Sequence, residues 1–155
     1  MHDTKIKNVS LGGNIMKING ITSSYPEATF LGGTCADSTW RSKLIPMLCK
    51  NVSFFDPQLG PGEWNDEAAA AEDACKDVCR ILVFVLTADS LSAYSGFEIG
   101  TLCTQNAQRV IFCAYGDFPE NQVKGISKIA RDVAKMGGTV CNSLEEIAKL
   151  LNSAY

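Results

Sequence analysis

From Ala28 onward, short apolar runs alternate with amphipathic stretches. The strongest run is residues 81–86, Ile-Leu-Val-Phe-Val-Leu, unbroken by any polar residue. A run so short and so apolar predicts a strand buried on both faces, hence a central parallel strand. Residues 29–31, 52–56, 109–115 and 139–141 predict four more strands. Helices are expected between them over residues 38–50, from Asn65 or Asp66 to about Cys79, and over 95–105 and 121–135. A capping box, Ser143-Leu-Glu-Glu146, opens a last helix. Ser38 is expected to cap the first helix, with Trp40, Leu44, Ile45 and Leu48 on its apolar face. Residues 57–64, PQLGPGEW, carry two prolines and two glycines and continue neither kind of element.

This β-α alternation predicts an α/β fold, a flavodoxin-like three-layer sandwich with a five-stranded, mainly parallel sheet. Ligands of such sheets bind beyond the carboxyl ends of the strands, where the strand order reverses. That places the Gly32-Gly33 turn and the 92–98 loop at one crevice. Residues 6–18, with Gly12-Gly13 midway, predict a β-hairpin. Residues 1–27 are read as an N-terminal extension of a single domain over 1–155, serving as an added sheet edge, a dimer contact or an arm over the site.

Composition narrows the function classes. The chain has 155 residues, 46% hydrophobic and 20% charged, which fits one soluble globular domain with a real core. Its net charge is −3 and no basic run is present, so neither a nucleic-acid polymer nor an anionic membrane is an expected partner. No apolar stretch reaches membrane-spanning length, the first residues lack a signal-peptide core, and a cytoplasmic location is the default expectation.

The seven cysteines read as reduced thiols, with Cys49, Cys75, Cys79, Cys103 and Cys113 in apolar surroundings. Cys75 and Cys79 share a helix face, but no second ligand pair accompanies them, so no metal and no cofactor are expected. The sole histidine, His2, lies at the very start, which discounts Ser-His-Asp and Cys-His mechanisms. Acid–base work falls to carboxylates, tyrosines or lysines.

Several segments could carry chemistry. Gly32-Gly33-Thr34-Cys35-Ala36-Asp37-Ser38 is a glycine-rich turn between strand and helix, equally readable as a tight turn or as a loop that admits an anion to backbone N–H groups. It is neither a Walker A motif nor GxGxxG. Trp64, two residues before Asp66, either stacks on a flat ligand or plugs the end of the sheet, the plug being slightly favoured. Glu72 and Asp73 lie on the helix before the central strand and flank the same crevice. Ser92, Tyr94, Ser95 and Gly96 lead to Glu98, the lone charge between Phe97 and Ile99. Glu98 is equally explicable as a first-turn partner of the helix dipole and as a buried reactive carboxylate.

Three segments together resemble the nucleoside 2-deoxyribosyltransferase family and the related deoxynucleotide N-glycosidases. They are GGTCADSTWR after the first strand, FFDP after the second, and SxxxxxEIG after the third, running from Ser92 through Glu98 and Ile99 to Gly100. The resemblance spans about residues 28–151. It implies a retaining displacement at C1′ of a 2′-deoxynucleoside or its 5′-monophosphate, with Glu98 as the nucleophile that forms a glycosyl ester. A second base or water then resolves that ester. Glu72, with Asp73 beside it, matches the family's acidic residue near the leaving base. Gly32, Gly33, Thr34, Asp37, Trp40, Trp64, Asp66, Ser92, Tyr94 and Ser95 would contact substrate. Ser92 stands where the sugar's 5′ end is met, and a serine there tolerates a phosphate that a carboxylate would repel. Arg80 stands where the family usually has an Asp and is read as structural. A small-molecule nucleoside or nucleotide is the implied partner, and a homo-oligomer is implied, with Tyr155 able to reach across its interface. A non-catalytic nucleotide sensor with the same pocket is the alternative. A flavin-binding or receiver domain is a weaker one, since Asp56 alone does not supply a receiver's acidic cluster.

Overall fold

The computed structural model describes residues 8–11, 14–17, 28–35, 38–59, 62, 64–90 and 93–155. In chain order the strands are β1 (Asn8–Leu11), β2 (Asn14–Lys17), β3 (Thr29–Gly33), β4 (Phe54–Phe55), β5 (Ile81–Leu86), β6 (Val110–Ala114) and β7 (Thr139–Cys141). The helices are α1 (Trp40–Leu44), α2 (Asp66–Val78), α3 (Ala93–Asn106), α4 (Glu120–Lys135) and α5 (Leu144–Ala154). Five strands form a parallel sheet in the order β4-β3-β5-β6-β7, so the order reverses between β3 and β5. This is the flavodoxin-like three-layer arrangement, with its ligand crevice expected at that reversal.

The apolar run of β5 explains its central place. Leu82, Phe84 and Leu86 face one layer, with Phe30, Phe55 and Phe112, beneath α2, α3 and α4. Val83 and Val85 face the other, with Leu31, Ile111 and Cys113, beneath α1 and α5. Phe30 lies 5.9 Å, ring centre to ring centre, from both Phe55 and Phe84, forming an aromatic layer under α2 and α3. Each fully buried phenylalanine contributes roughly 2–3 kcal/mol of transfer free energy, and a one-residue slip of β5 would exchange its two faces.

Several expected features differ in detail. The first helix is one short α-helical turn followed by a 3-10 turn (Ile45–Met47), because Pro46 cannot donate to an α-helical ladder. Ser38 does not cap it; its hydroxyl donates to the carbonyls of Thr34 (2.8 Å) and Cys35 (2.7 Å), and Thr39 holds the cap position without a side-chain bond. Asn65 does cap α2, its Oδ1 accepting from Ala68 N at 2.8 Å. Ser143 caps α5 through Glu146 N, while the Glu146 carboxylate reaches back to Asn142 N, one residue before the expected donor. Cys49 is exposed rather than in an apolar setting, because the chain is turning there and its N–H bonds Asn152 Oδ1 at 2.7 Å. Cys75, Cys79, Cys103, Cys113 and Cys141 are buried.

β1 and β2 pair antiparallel, from Asn8↔Lys17 to Leu11↔Asn14, and β1 adds antiparallel to β4. The hairpin thus forms an added edge of the sheet. The rest of the extension, residues 1–7, 12–13 and 18–27, lies outside the described residues. No described helix is long and apolar enough to cross a membrane.

Candidate functional site

At the carboxyl edge of β3, the two glycines answer to packing. A Cβ on Gly32 would stand 2.6 Å from the Phe30 ring and 2.7 Å from the Phe84 ring. Gly33 has φ +109, and a Cβ there would stand 2.1 Å from Val85 O. The close approach of β3 to β5 therefore demands both glycines. Thr34 then ties the two loops together. Its N–H donates to Val85 O (2.9 Å), and its hydroxyl oxygen accepts from Thr87 N (2.9 Å). Its carbonyl collects three donors: Ser38 Oγ at 2.8 Å, Trp40 Nε1 at 2.9 Å and an Arg41 Nη1 at 2.8 Å.

Arg41 is 2% exposed. Its Nε and Nη2 donate to Leu31 O at 3.0 and 2.9 Å, and Nε lies 3.2 Å from Asp56 Oδ1. Desolvation lowers its pKa from the usual value, against the opposing pull of Cys35, Asp56 and Glu72. Most of its donors meet backbone carbonyls, so Arg41 pins the β3 turn to α1. The buried indole of Trp40 shares that duty through Thr34 O, and its ring lies 4.2 Å from the Arg41 guanidinium carbon.

The second cluster lies between α2 and α3. Glu98 is 9% exposed. It stands beyond the first turn of α3, because the helix begins at Ala93, earlier than expected, and that first turn carries no acidic residue. Macrodipole pairing, confined to the first turn, does not account for it. A buried carboxylate needs a partner, and the partner is Lys76, whose ammonium bonds Glu98 Oε1 directly. The same ammonium is 2.9 Å from Asp73 Oδ1 and 3.9 Å from Glu72 Oε1. Its Nζ lies 5.9 Å from the ring centres of both Phe30 and Tyr94.

The geometry follows from α2. Glu72, Asp73 and Lys76 fall at i, i+1 and i+4, and helix side chains lean toward the N-terminus, so one lysine reaches both carboxylates. Hydrogen bonds to Glu98 and Asp73 and the neighbouring charge of Glu72 outweigh desolvation, the largest single influence, and raise the Lys76 pKa above the lysine range. Lys76 is thus an ammonium and not a free amine. Glu98 Oε2 has no donor among the described residues.

The remaining candidates are spread more widely. Ser95 is buried and Tyr94 is 58% exposed, both on the first turn of α3. Trp64 is 60% exposed and does not plug the sheet, because it precedes the N-cap of α2 rather than packing beneath it. Asp66 is exposed at the start of α2. Asp37 and Ser92 lie outside the described residues. Tyr155 turns back onto its own chain, its hydroxyl 3.0 Å from Thr29 Oγ1 and its ring 5.5 Å from the Arg80 guanidinium carbon. A separate cleft of about 260 Å³, lined by Lys43, Asp89 and Tyr115 among others, opens between α1 and the turns after β5 and β6. Trp40 lines that cleft.

Sequence reasoning missed Lys76 and Arg41. The signal for Lys76 was its spacing from Glu72 and Asp73, which an exposed helix pair shares. For Arg41 it was a charge next to Trp40 on a face expected to be apolar.

Comparison with curated proteins and with solved structures gave no significant match. A family model, nucleoside 2-deoxyribosyltransferase like, matches residues 27–117, the segment that holds β3 through β6 and every member of both clusters. With more than half of its length matched, the chain belongs to the nucleoside 2-deoxyribosyltransferase like family.

Proposed function

We propose that this chain cleaves the base–sugar bond of 2′-deoxynucleosides or their 5′-monophosphates through a covalent glycosyl-Glu98 intermediate. One observation carries the reading. Glu98, at the position that matches the family's nucleophile, is buried with one oxygen held by Lys76 and the other without a donor among the described residues, and the same lysine meets two carboxylates on α2. In the first step an electron pair of Glu98 Oε2 forms a bond to C1′. The C1′–N bond breaks and its electrons leave with the base, which takes a proton delivered from solvent past Glu72. Glu72 and Asp73 accept hydrogen bonds from the base. In the second step water or a nitrogen of a second base attacks C1′, gives its proton to solvent, and releases the Glu98 carboxylate.

The unit performing this reaction is the whole chain 1–155, acting in the cytoplasm as a homo-oligomer. Ser92, Ser95 and the first N–H groups of α3 receive the 5′ end of the sugar. Incubation with deoxynucleosides and their monophosphates, with and without a second base, tests the reading. Released or exchanged base is expected, along with its loss in Glu98→Gln. Turnover of none of these compounds, or full activity in Glu98→Gln, refutes it.

One observation favours a second reading, a sensor that binds nucleotide without turnover: the ion pair that Lys76 makes with the nucleophile. A sensor would show ligand-induced thermal stabilisation that persists in Glu98→Gln and yields no product.

A further inference from the structure

We propose that Lys76 is a positioning residue for Glu98: by holding Oε1 it supplies the counter-charge to the carboxylate, presents Oε2 to the sugar, and favours release of the glycosyl ester. The role in turnover rests on the function proposed above; the hold on Glu98 does not.

The geometry carries the inference. Three carboxylates meet one ammonium, with formal charges of three against one. The ammonium that bonds Glu98 also meets Asp73 and Glu72 on its own helix and lies over the Tyr94 ring of α3. Arg41 also bears on Glu72, but it is already bonded to Asp56 and to backbone carbonyls. Among the described residues no other cation bonds Glu98, and a buried carboxylate stripped of its counter-charge favours the protonated form. A protonated Glu98 is not a nucleophile.

The same contact acts on the intermediate. When Oε2 bonds C1′, Glu98 loses its charge, and the ammonium keeps Asp73 as its full counterion. Lys76 therefore stabilises the free carboxylate more than the ester. Removing Lys76 shifts the balance between them toward the ester and slows its breakdown relative to its formation.

Lys76→Met keeps the buried stem and removes the charge, while Lys76→Arg keeps the charge. The first measurement needs no substrate: carbon-13 NMR titration of the Glu98 carboxyl in the full chain, with Glu98→Gln identifying the signal. Lys76→Met is expected to raise the Glu98 titration midpoint by at least about one pH unit, and Lys76→Arg is expected to restore most of the shift. An unchanged midpoint overturns the proposal. Should Lys76→Met fail to fold, the Lys76→Gln variant takes its place, with circular dichroism as the check. The second measurement is intact-protein mass after mixing with a deoxynucleoside at alkaline pH, where protonation of Glu98 no longer limits the reaction. Lys76→Met is expected to accumulate one deoxyribosyl group on Glu98 to a larger fraction than wild type, with the acid limb of kcat/KM moved to higher pH. A uniform loss of rate, with no added ester and no displaced limb, overturns the catalytic part. A shifted NMR midpoint in a protein whose wild type turns over no deoxynucleoside overturns the function instead and supports the hold on Glu98.

Discussion

Arg41 and Lys76 are both buried cations beneath the loops of the β3–β5 crevice, 2% and 7% exposed, and they are partnered in opposite ways. Arg41 spends its fork on backbone carbonyls of Leu31 and Thr34 and meets one carboxylate, Asp56. The fixed geometry of a guanidinium suits that task, since its donors match acceptors that cannot move. Lys76 meets three carboxylates and, among the described residues, its ammonium bonds no backbone carbonyl. A point charge on a flexible stem can shift between them as charge develops. The contrast teaches which half of the crevice is scaffold and which is poised for reaction: the Arg41 side is locked to main chain, while the Lys76 side holds an excess of negative charge under an accessible helix start.

The largest expected effect separates the two sides by activity. Glu98→Gln should lower turnover by at least about a thousandfold while changing the denaturant midpoint little, because the amide still accepts from Lys76. Equal losses of stability and turnover would erase the distinction.

Arg41→Met should do the reverse. It strips donors from two buried carbonyls and leaves Asp56 without its cation, costing about 3 kcal/mol or more in urea unfolding. A variant that unfolds like wild type would show that Arg41 is not a pin.

The buried thiols extend the contrast to the rest of the core. Burial raises the thiol pKa of Cys79 and Cys113 from 9.0 to about 12 and that of Cys141 to about 11. Their folded pKa values exceed the unfolded ones, so their contribution to stability is complete below pH 9 and is lost as pH rises from there toward 11–12. The unfolding free energy measured in urea should therefore fall steadily above pH 9, by up to roughly 1.4 kcal/mol per pH unit for each such thiol. In native labelling at neutral pH, exposed Cys35 and Cys49 should react promptly and the five buried thiols should resist. Prompt reaction of Cys75 or Cys79 would mean that α2 opens readily, and the Lys76 cluster with it.

The smallest effect probes the frame of that cluster. Asn65→Ala removes the α2 cap and should cost about 1 kcal/mol. Because α2 carries Glu72, Asp73 and Lys76, its turnover should fall further than that of an equally destabilising change in α5, such as Ser143→Ala.

Much of the frame was legible in the chain. The unbroken run at 81–86 has no reading as an amphipathic element, and its alternate residues do fill both core layers. The alternation of strands with helices sets a parallel sheet, since parallel neighbours need crossovers. Glu98 stood out for being the only charge in its segment, and Glu72 and Asp73 for lying on the preceding helix. Pro46 is equally visible in the chain, and it breaks α1 even though the apolar spacing of a helix runs on past it.

The sequence by itself determined the strand order's raw material, the glycines at the first turn and the isolation of Glu98, because each depends on local pattern. Tertiary structure alone decided what those features meet. The need for Gly33 lies in Val85, fifty-two positions away, whose carbonyl occupies the space a Cβ would take. Lys76 reads locally as one more helix charge, and it becomes the holder of Glu98 only when α3 packs beside α2, twenty-two residues on. Electrostatic partnership depends on distance in space and on exclusion of water, and neither is encoded by adjacency along the chain.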